Sequence, residues 1–162
     1  MTQLTHLEIS QKLETFGYPL PEVQAPLAAY TPALQAGNFV FTSGQLPLVD
    51  GVLEATGKVG AGGIDPEQAA RLAARCAVNA LAALVSAIGD LGRVKRVAKL
   101  VGFVASDPSF TEQSLVIDGA SRLLHDVLGE AGVHARSAVG VATLPKDSPV
   151  EVELIVELHD EI

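Results

Sequence analysis

Residues 134–158 read HARSAVGVATLPKDSPVEVELIVEL, and their pattern decides the fold. In the second half Val150, Val152, Leu154, Val156 and Leu158 fall on one side, while Glu151, Glu153 and Glu157 fall on the other. That two-residue period is a strand with one face on a core and one face turned away. The first half, up to the turn at Leu144-Pro145-Lys146-Asp147, is a strand of small and apolar residues with Arg136 near its start. The chain therefore closes on two strands, and what precedes them must supply the layer they pack against.

Working upstream, Leu115–Leu128 repeats Val116, Ala120, Leu123, Leu124 and Val127 at helical intervals and meets Gly129 just beyond, predicting a helix. Valine-rich Val94–Ala105 reads as a strand ended by the turn signal SDPSF. Before it, Asp65 as N-cap and Pro66 at the first helical position open an alanine-rich helix to about Ile88, with Gly89 after it. Leu72, Cys76, Asn79, Ala80, Ala83, Leu84 and Ala87 lie on one stripe of that helix, and its small residues allow close approach to a sheet. The segment PLVDGVLEATGKVGAGG, with five glycines, reads as a loop holding at most one brief strand.

Nearer the start, a strand over roughly Ala28–Ala36, a Gly37-Asn38 turn and a strand over Phe39–Ser43 make a hairpin. Pro32 removes a ladder donor, which sends the first strand to an edge or a bulge. YPLPEVQAP is a stiff extended connection, and Ser10–Phe16 is a short helix stopped by Gly17. The order strands, helix, strand, helix, strands is met by an α+β sandwich: a mixed β-sheet with two helices packed on one face. The other face then needs cover, which a partner subunit would supply.

The chain has 162 residues, which fits a single domain over 1–162 with an N-terminal helical extension over about 1–25. Hydrophobic residues reach 48%, and mean hydropathy is +0.33, yet no apolar run of membrane-spanning length is expected. A net charge of -8 repels polyanions, and aromatics at 4% with no Trp leave little for stacking on bases, so no nucleic-acid partner is expected. The basic cluster Arg93, Lys95, Arg96 and Lys99 is interleaved with apolar residues as on a solvated strand face. Cys76 is the sole cysteine and reads as core, excluding a disulfide framework. His6, His125 and His159 are scattered, His134 reads as a polar loop residue before a strand, and no ligand spacing predicts a metal site. Thr2, Gln3, Thr5 and His6 lack the basic region and apolar core of a signal peptide, so a cytoplasmic location is expected.

The blocks AAYTPAL, GNFVFTSGQLPL, VIDGAS and the quoted segment together resemble the RidA (YjgF-type) reactive-intermediate deaminases of the chorismate-mutase-like branch. The resemblance runs from about Pro26 onward. It implies a homotrimer with clefts between subunits, no cofactor, and hydrolysis of enamine or imine intermediates to 2-keto acids and ammonia. Carried over residue by residue, Arg136 anchors a substrate carboxylate through two parallel N–H bonds, a geometry lysine cannot give. Glu151 positions or activates the attacking water. Tyr30 closes the pocket or bonds that water, and Ser43 and Gly44 line the cleft with backbone. Asp118 stands where relatives commonly carry Asn, Ala138 where many carry Cys, Gly140 where many carry Glu, and Thr143 where many carry Arg. An acid beside a carboxylate site repels the ligand unless it is paired or protonated, so Asp118 implies either a different ligand or a local structural role. Two other activities stay open: a non-catalytic trimer that binds a small carboxylate, and an endoribonuclease or translation inhibitor.

Overall fold

The computed structural model describes residues 3–23 and 29–160. The elements follow in the order α1 (His6–Thr15), β1 (Ala33–Ala36), β2 (Phe39–Thr42), β3 (Leu48–Val49), β4 (Val52–Leu53), α2 (Pro66–Ile88), β5 (Val94–Ala105), α3 (Gln113–Leu128), β6 (Ala135–Val141) and β7 (Val150–Leu158). Five strands form one mixed sheet in the order β1-β2-β7-β5-β6, with β5 and β6 parallel and the other neighbours antiparallel. The architecture is α+β, as the sequence implies. Helix α3 is the crossover that parallel β5 and β6 require. The last strand, β7, lies in the interior of the sheet, joining β2 to β5.

Val150, Val152, Leu154, Val156 and Leu158 are buried beneath the helices, and Glu151, Glu153, Ile155 and Glu157 are half-buried on the opposite side, as their alternation predicts. Helix α2 begins as its sequence dictates. Asp65 Oδ1 accepts from the N–H groups of Glu67 and Gln68, Pro66 opens the first turn, and Gly89 follows at φ 74°. The single buried stripe is corrected, because α2 lies between the sheet and α3 and buries Ala69, Ala73, Ala74, Ala77, Val78 and Ala82 as well, while Ala87 is exposed. A Cβ placed on Gly119 of α3 would stand 1.9 Å from the Ala70 carbonyl oxygen, so the two helices meet where only hydrogen fits. The absence of a span-length apolar run is also corrected. Among the described residues α2 is long and apolar enough by length and composition to cross a membrane, and 67% of that window is buried inside the fold, so this apolarity covers core.

Other boundaries shift for local reasons. Helix α1 starts at His6 rather than Ser10 because Thr5 and Glu8 form a capping box. Strand β1 starts at Ala33, after Pro32, whose carbonyl accepts from Ser43 N–H at 2.8 Å; Ala28 and part of the proline-rich connection lie outside the described residues. As an edge strand β1 suits a neighbouring proline. The glycine-rich loop holds two brief strands, not one: β3 and β4 pair across Asp50 (φ 50°) and Gly51 (φ 79°), the tight-turn conformation that Asp-Gly favours. Helix α3 starts two residues before Leu115, where Gln113 Nε2 donates to Phe110 O at 2.8 Å.

The sheet face away from the helices is uncovered and carries exposed apolar side chains beside the glutamates of β7. Leu34 faces Phe41 across β1 and β2, and Phe41 faces Ile155 on β7. Leu34 is 61%, Phe41 43%, Phe39 42% and Val139 43% exposed. Lys95 and Arg96 lie on the sheet as expected and share Glu157, at 2.7 and 3.2 Å.

Candidate functional site

Two groups of side chains carry the chemistry. The first surrounds Glu151. Its neighbours on β5 and β6 are Phe103 and, through Phe103, Val139, so it emerges on the uncovered face. The segment after β2 runs over it: Gln45 pairs with Val152, N–H to carbonyl at 2.8 and 3.1 Å, which draws Gly44 onto the Glu151 side chain. A Cβ at Gly44 would stand 2.0 Å from Glu151 Oε1, so glycine is needed for close approach. Ser43 Oγ donates to Thr31 O at 2.7 Å and ties the Tyr30–Thr31 segment to the same place. Tyr30 itself is 58% exposed. Burial, and then the neighbouring Glu153 carboxylate, push the Glu151 carboxyl above its ordinary value. Behind this strand the Cys76 thiol approaches Val150 O at 3.8 Å; burial first, then Glu151, hold it protonated well above the usual thiol range.

The second group surrounds Arg136. Its register partner is Leu100, so it leans toward the helices, and from edge strand β6 it reaches α3. Arg136 Nη1 donates to Asp118 Oδ1 at 2.7 Å and to Ser121 Oγ at 3.1 Å; Nη2 donates to Ser114 O at 3.4 Å. Asp118 Oδ2 lies 3.6 Å from Arg122. Ser121 Oγ is 3.0 Å from His134 Nε2, and His134 Nδ1 is 2.5 Å from Gly132 O. The carbonyl requires a donor at Nδ1, so in neutral His134 Nε2 accepts the Ser121 hydroxyl proton. Burial lowers the His134 pKa, against the Gly132 hydrogen bond and with the help of Arg136. These residues line an open pocket of about 460 Å³.

The sequence reading thus separates into parts. Tyr30, Ser43, Gly44 and Glu151 gather at one end of β7, and Arg136 and Asp118 gather at the β6–α3 seam. The two groups do not meet within one chain, since Glu151 opens away from the helices and Arg136 toward them. Asp118 has a local partner in Arg136, which is therefore held rather than free. Ser121 was not singled out by the sequence, and His134, read as a polar loop residue before a strand, joins this group through Ser121. Their signal was spacing: Ser121 lies one helical turn from Asp118, and His134 two residues from Arg136. Among the described residues no group of three or more His, Cys, Asp or Glu side chains could hold a metal ion.

A five-stranded mixed sheet backed by helices, with these blocks at its seams, defines a chorismate-mutase-like α+β protein. Residues 10–158 match the family described as "YjgF/chorismate mutase-like, putative endoribonuclease", and the chain belongs to this YjgF/RidA family. It is similar to Protein TCP17 of Trypanosoma cruzi, 46% identical over 94% of this chain and 95% of that protein. It is also similar to a 2-iminobutanoate/2-iminopropanoate deaminase of Dermatophagoides farinae, 32% identical over 86% of this chain and 93% of the relative. Among solved structures, Atu1372 of Agrobacterium tumefaciens, of unknown function, superposes with a TM-score of 0.89 at 48% identity, covering 95% of this chain and 94% of that one. Escherichia coli TdcF with bound serine superposes with a TM-score of 0.62 at 26% identity, covering 85% and 94%.

Proposed function

We propose that this protein is a homotrimeric deaminase that hydrolyses small enamine or imine acids to 2-keto acids and ammonia. The observation that carries the reading is the half-buried Glu151 carboxyl, pushed upward in pKa and seated on bare Gly44 backbone. The deaminase of Dermatophagoides farinae supports the reaction class. The uncovered apolar face around Leu34, Phe41 and Val139 supports assembly, since burying it removes apolar surface from water.

In the proposed cleft, Arg136 of one subunit binds the ligand carboxylate, and the partner subunit's Glu151 takes a proton from water. The hydroxyl adds to the electrophilic iminium carbon and the C=N π pair moves to nitrogen. Glu151 returns that proton to the carbinolamine nitrogen, the C–N bond breaks with its electron pair going to ammonia, and the hydroxyl proton passes to the Glu151 carboxylate and on to solvent as C=O forms. Acid–base assistance of this kind contributes about 100-fold or more.

A second reading is a trimer that binds a small carboxylate without turnover. It is favoured by Asp118, which already engages Arg136 Nη1 at 2.7 Å. Ammonia release from freshly generated 2-iminopropanoate separates the two. The deaminase reading expects release by the wild-type protein, its loss in Arg136→Ala, and its retention in Arg71→Ala, which alters only an exposed pair with Glu67. Wild-type protein without ammonia release overturns it.

A further inference from the structure

Three groups at the β6–α3 seam stand in a chain that the proposed deamination does not use. Ser121 Oγ lies 3.0 Å from His134 Nε2, and His134 Nδ1 lies 2.5 Å from the Gly132 carbonyl oxygen. The carbonyl only accepts, so Nδ1 carries the proton of neutral His134 and Nε2 is left as a base facing the serine hydroxyl. Residue 132 can sit there because it lacks a side chain: a Cβ on Gly132 would stand 2.1 Å from Leu124 O of α3. Burial lowers the His134 pKa from its ordinary 6.5, so the imidazole is neutral near pH 7.

Ser121 Oγ has a second neighbour in Arg136, whose Nη1 donates to it at 3.1 Å. A hydroxyl oxygen has two lone pairs; Nη1 occupies one, and the other is free to bond carbon. The adjacent cation favours negative charge on that oxygen and so eases loss of its proton. Ser121 is half-buried, and it lines the same open cavity as His134 and Arg136.

We infer that Ser121 and His134 form a nucleophile–base pair, a hydrolytic centre for small activated carboxylic esters that works through an acyl-serine. A hydroxyl, an imidazole bonded to it and a third group that fixes the imidazole tautomer are what nucleophilic acyl transfer requires. As Oγ bonds to the acyl carbon, its proton passes to Nε2 and the C=O π pair moves to oxygen. The carbonyl re-forms as the bond to the leaving oxygen breaks, and Nε2 gives that oxygen the proton. Water then repeats the sequence: its proton goes to Nε2, its oxygen to the acyl carbon, and Oγ departs with the proton returned from Nε2, releasing the acid.

The charged groups around the pair are Arg136 on β6 and Asp118, Arg122, His125 and Asp126 on α3. Asp118, which could otherwise draw the hydroxyl proton, is held by Arg136 at 2.7 Å and Arg122 at 3.6 Å. Guanidinium groups are left to meet the charge on the acyl oxygen, and Arg122 is 78% exposed and screened by solvent. Such weak support restricts turnover to esters with a stabilised leaving group. The centre shares Arg136 with the deaminase reading but needs neither Glu151 nor a nitrogen substrate.

The test treats wild-type protein, Ser121→Ala, His134→Gln and Arg71→Ala with p-nitrophenyl acetate and, separately, with a fluorophosphonate. Wild-type protein should hydrolyse the ester, and its rate should fall in acid as His134 is protonated, through a window below pH 6.5. Ser121→Ala and His134→Gln should each lose about 100-fold, and Arg71→Ala should lose nothing. Mass spectrometry should place the fluorophosphonate adduct on Ser121. No adduct on Ser121 of the wild type overturns the inference, as does hydrolysis unchanged by Ser121→Ala or by His134→Gln. The wild-type labelling decides the matter if a variant does not fold. Ammonia release without ester hydrolysis sinks this inference alone; ester hydrolysis at Ser121 without ammonia release sinks the deaminase reading alone.

Discussion

Replacing Gly44 by alanine puts a methyl group where the Glu151 carboxyl now lies. The new carbon would be 2.0 Å from Oε1, 2.8 Å from Cδ and 3.1 Å from Cγ of Glu151. Gly44 is not in the left-handed region, so the backbone accepts alanine and the side chain must yield. Ordinary contact lies at about 3.5 Å, which moves the carboxyl oxygen by roughly 1.5 Å. Turning a glutamate away from its preferred rotamer costs about 1 kcal/mol, a modest loss of stability. A misplacement on the order of 1 Å in a reacting group costs roughly 100-fold in rate, or about 2.7 kcal/mol of barrier. Gly44→Ala should therefore lose about 100-fold in ammonia release from 2-iminopropanoate while its urea midpoint falls by no more than about 1 M. Activity within about three-fold of wild type, with a crystal structure showing Glu151 displaced, would refute a role for that carboxylate.

Three further outcomes are expected. Gly119→Ala forces its Cβ against the Ala70 carbonyl at 1.9 Å, and because that neighbour is backbone the α2–α3 contact must open; a loss of about 3 kcal/mol in chemical denaturation is expected. Glu151→Gln should change the pH dependence of stability. The folded carboxyl titrates above its ordinary value of 4.5, so the wild-type fold is disfavoured as pH rises through that window; the variant should gain relative stability near neutral pH and lose that advantage in acid, and parallel pH profiles would contradict this. The proposed trimer predicts that Phe41→Asp, which places a charge on the uncovered face at a position 43% exposed, leaves the monomer folded by circular dichroism and lowers the mass in light scattering from three chains to one. An unchanged mass would remove that face from any assembly.

The sheet and both long helices were legible because their signals are local and redundant. Asp65, Pro66 and Gly89 mark both ends of α2, and the valine–glutamate alternation of β7 fixes its faces. The burial of α2 on two sides was not legible, since a helix of small residues looks alike on every side and only the Gly119–Ala70 approach reveals its second neighbour. The Thr5–Glu8 capping box that starts α1 and the polar Gln113-Ser114 opening of α3 went unread, and the Asp50-Gly51 hairpin was submerged in a glycine-rich segment. At the candidate site the residue types were readable, but partnership was not. Nothing in the order of residues says that Asp118 will grip Arg136, or that Ser121 will stand between that arginine and His134. Such contacts depend on how far a crossover helix is displaced from an edge strand, a distance set by packing rather than by sequence spacing.

The interior seat of β7 has a kinetic consequence. Phe39 pairs with Glu157 and Val94 with Leu158, so the hairpin near the start of the chain joins the rest of the sheet only through its final strand. Contacts of such sequence separation are entropically expensive to close and slow to form. On the ribosome, a nascent chain that stops short of Val150 holds β2 and β5 with a gap between them and two unsatisfied edges. The protein must then acquire its sheet after synthesis has passed Leu158, and until that moment the exposed edges are open to pairing with other chains.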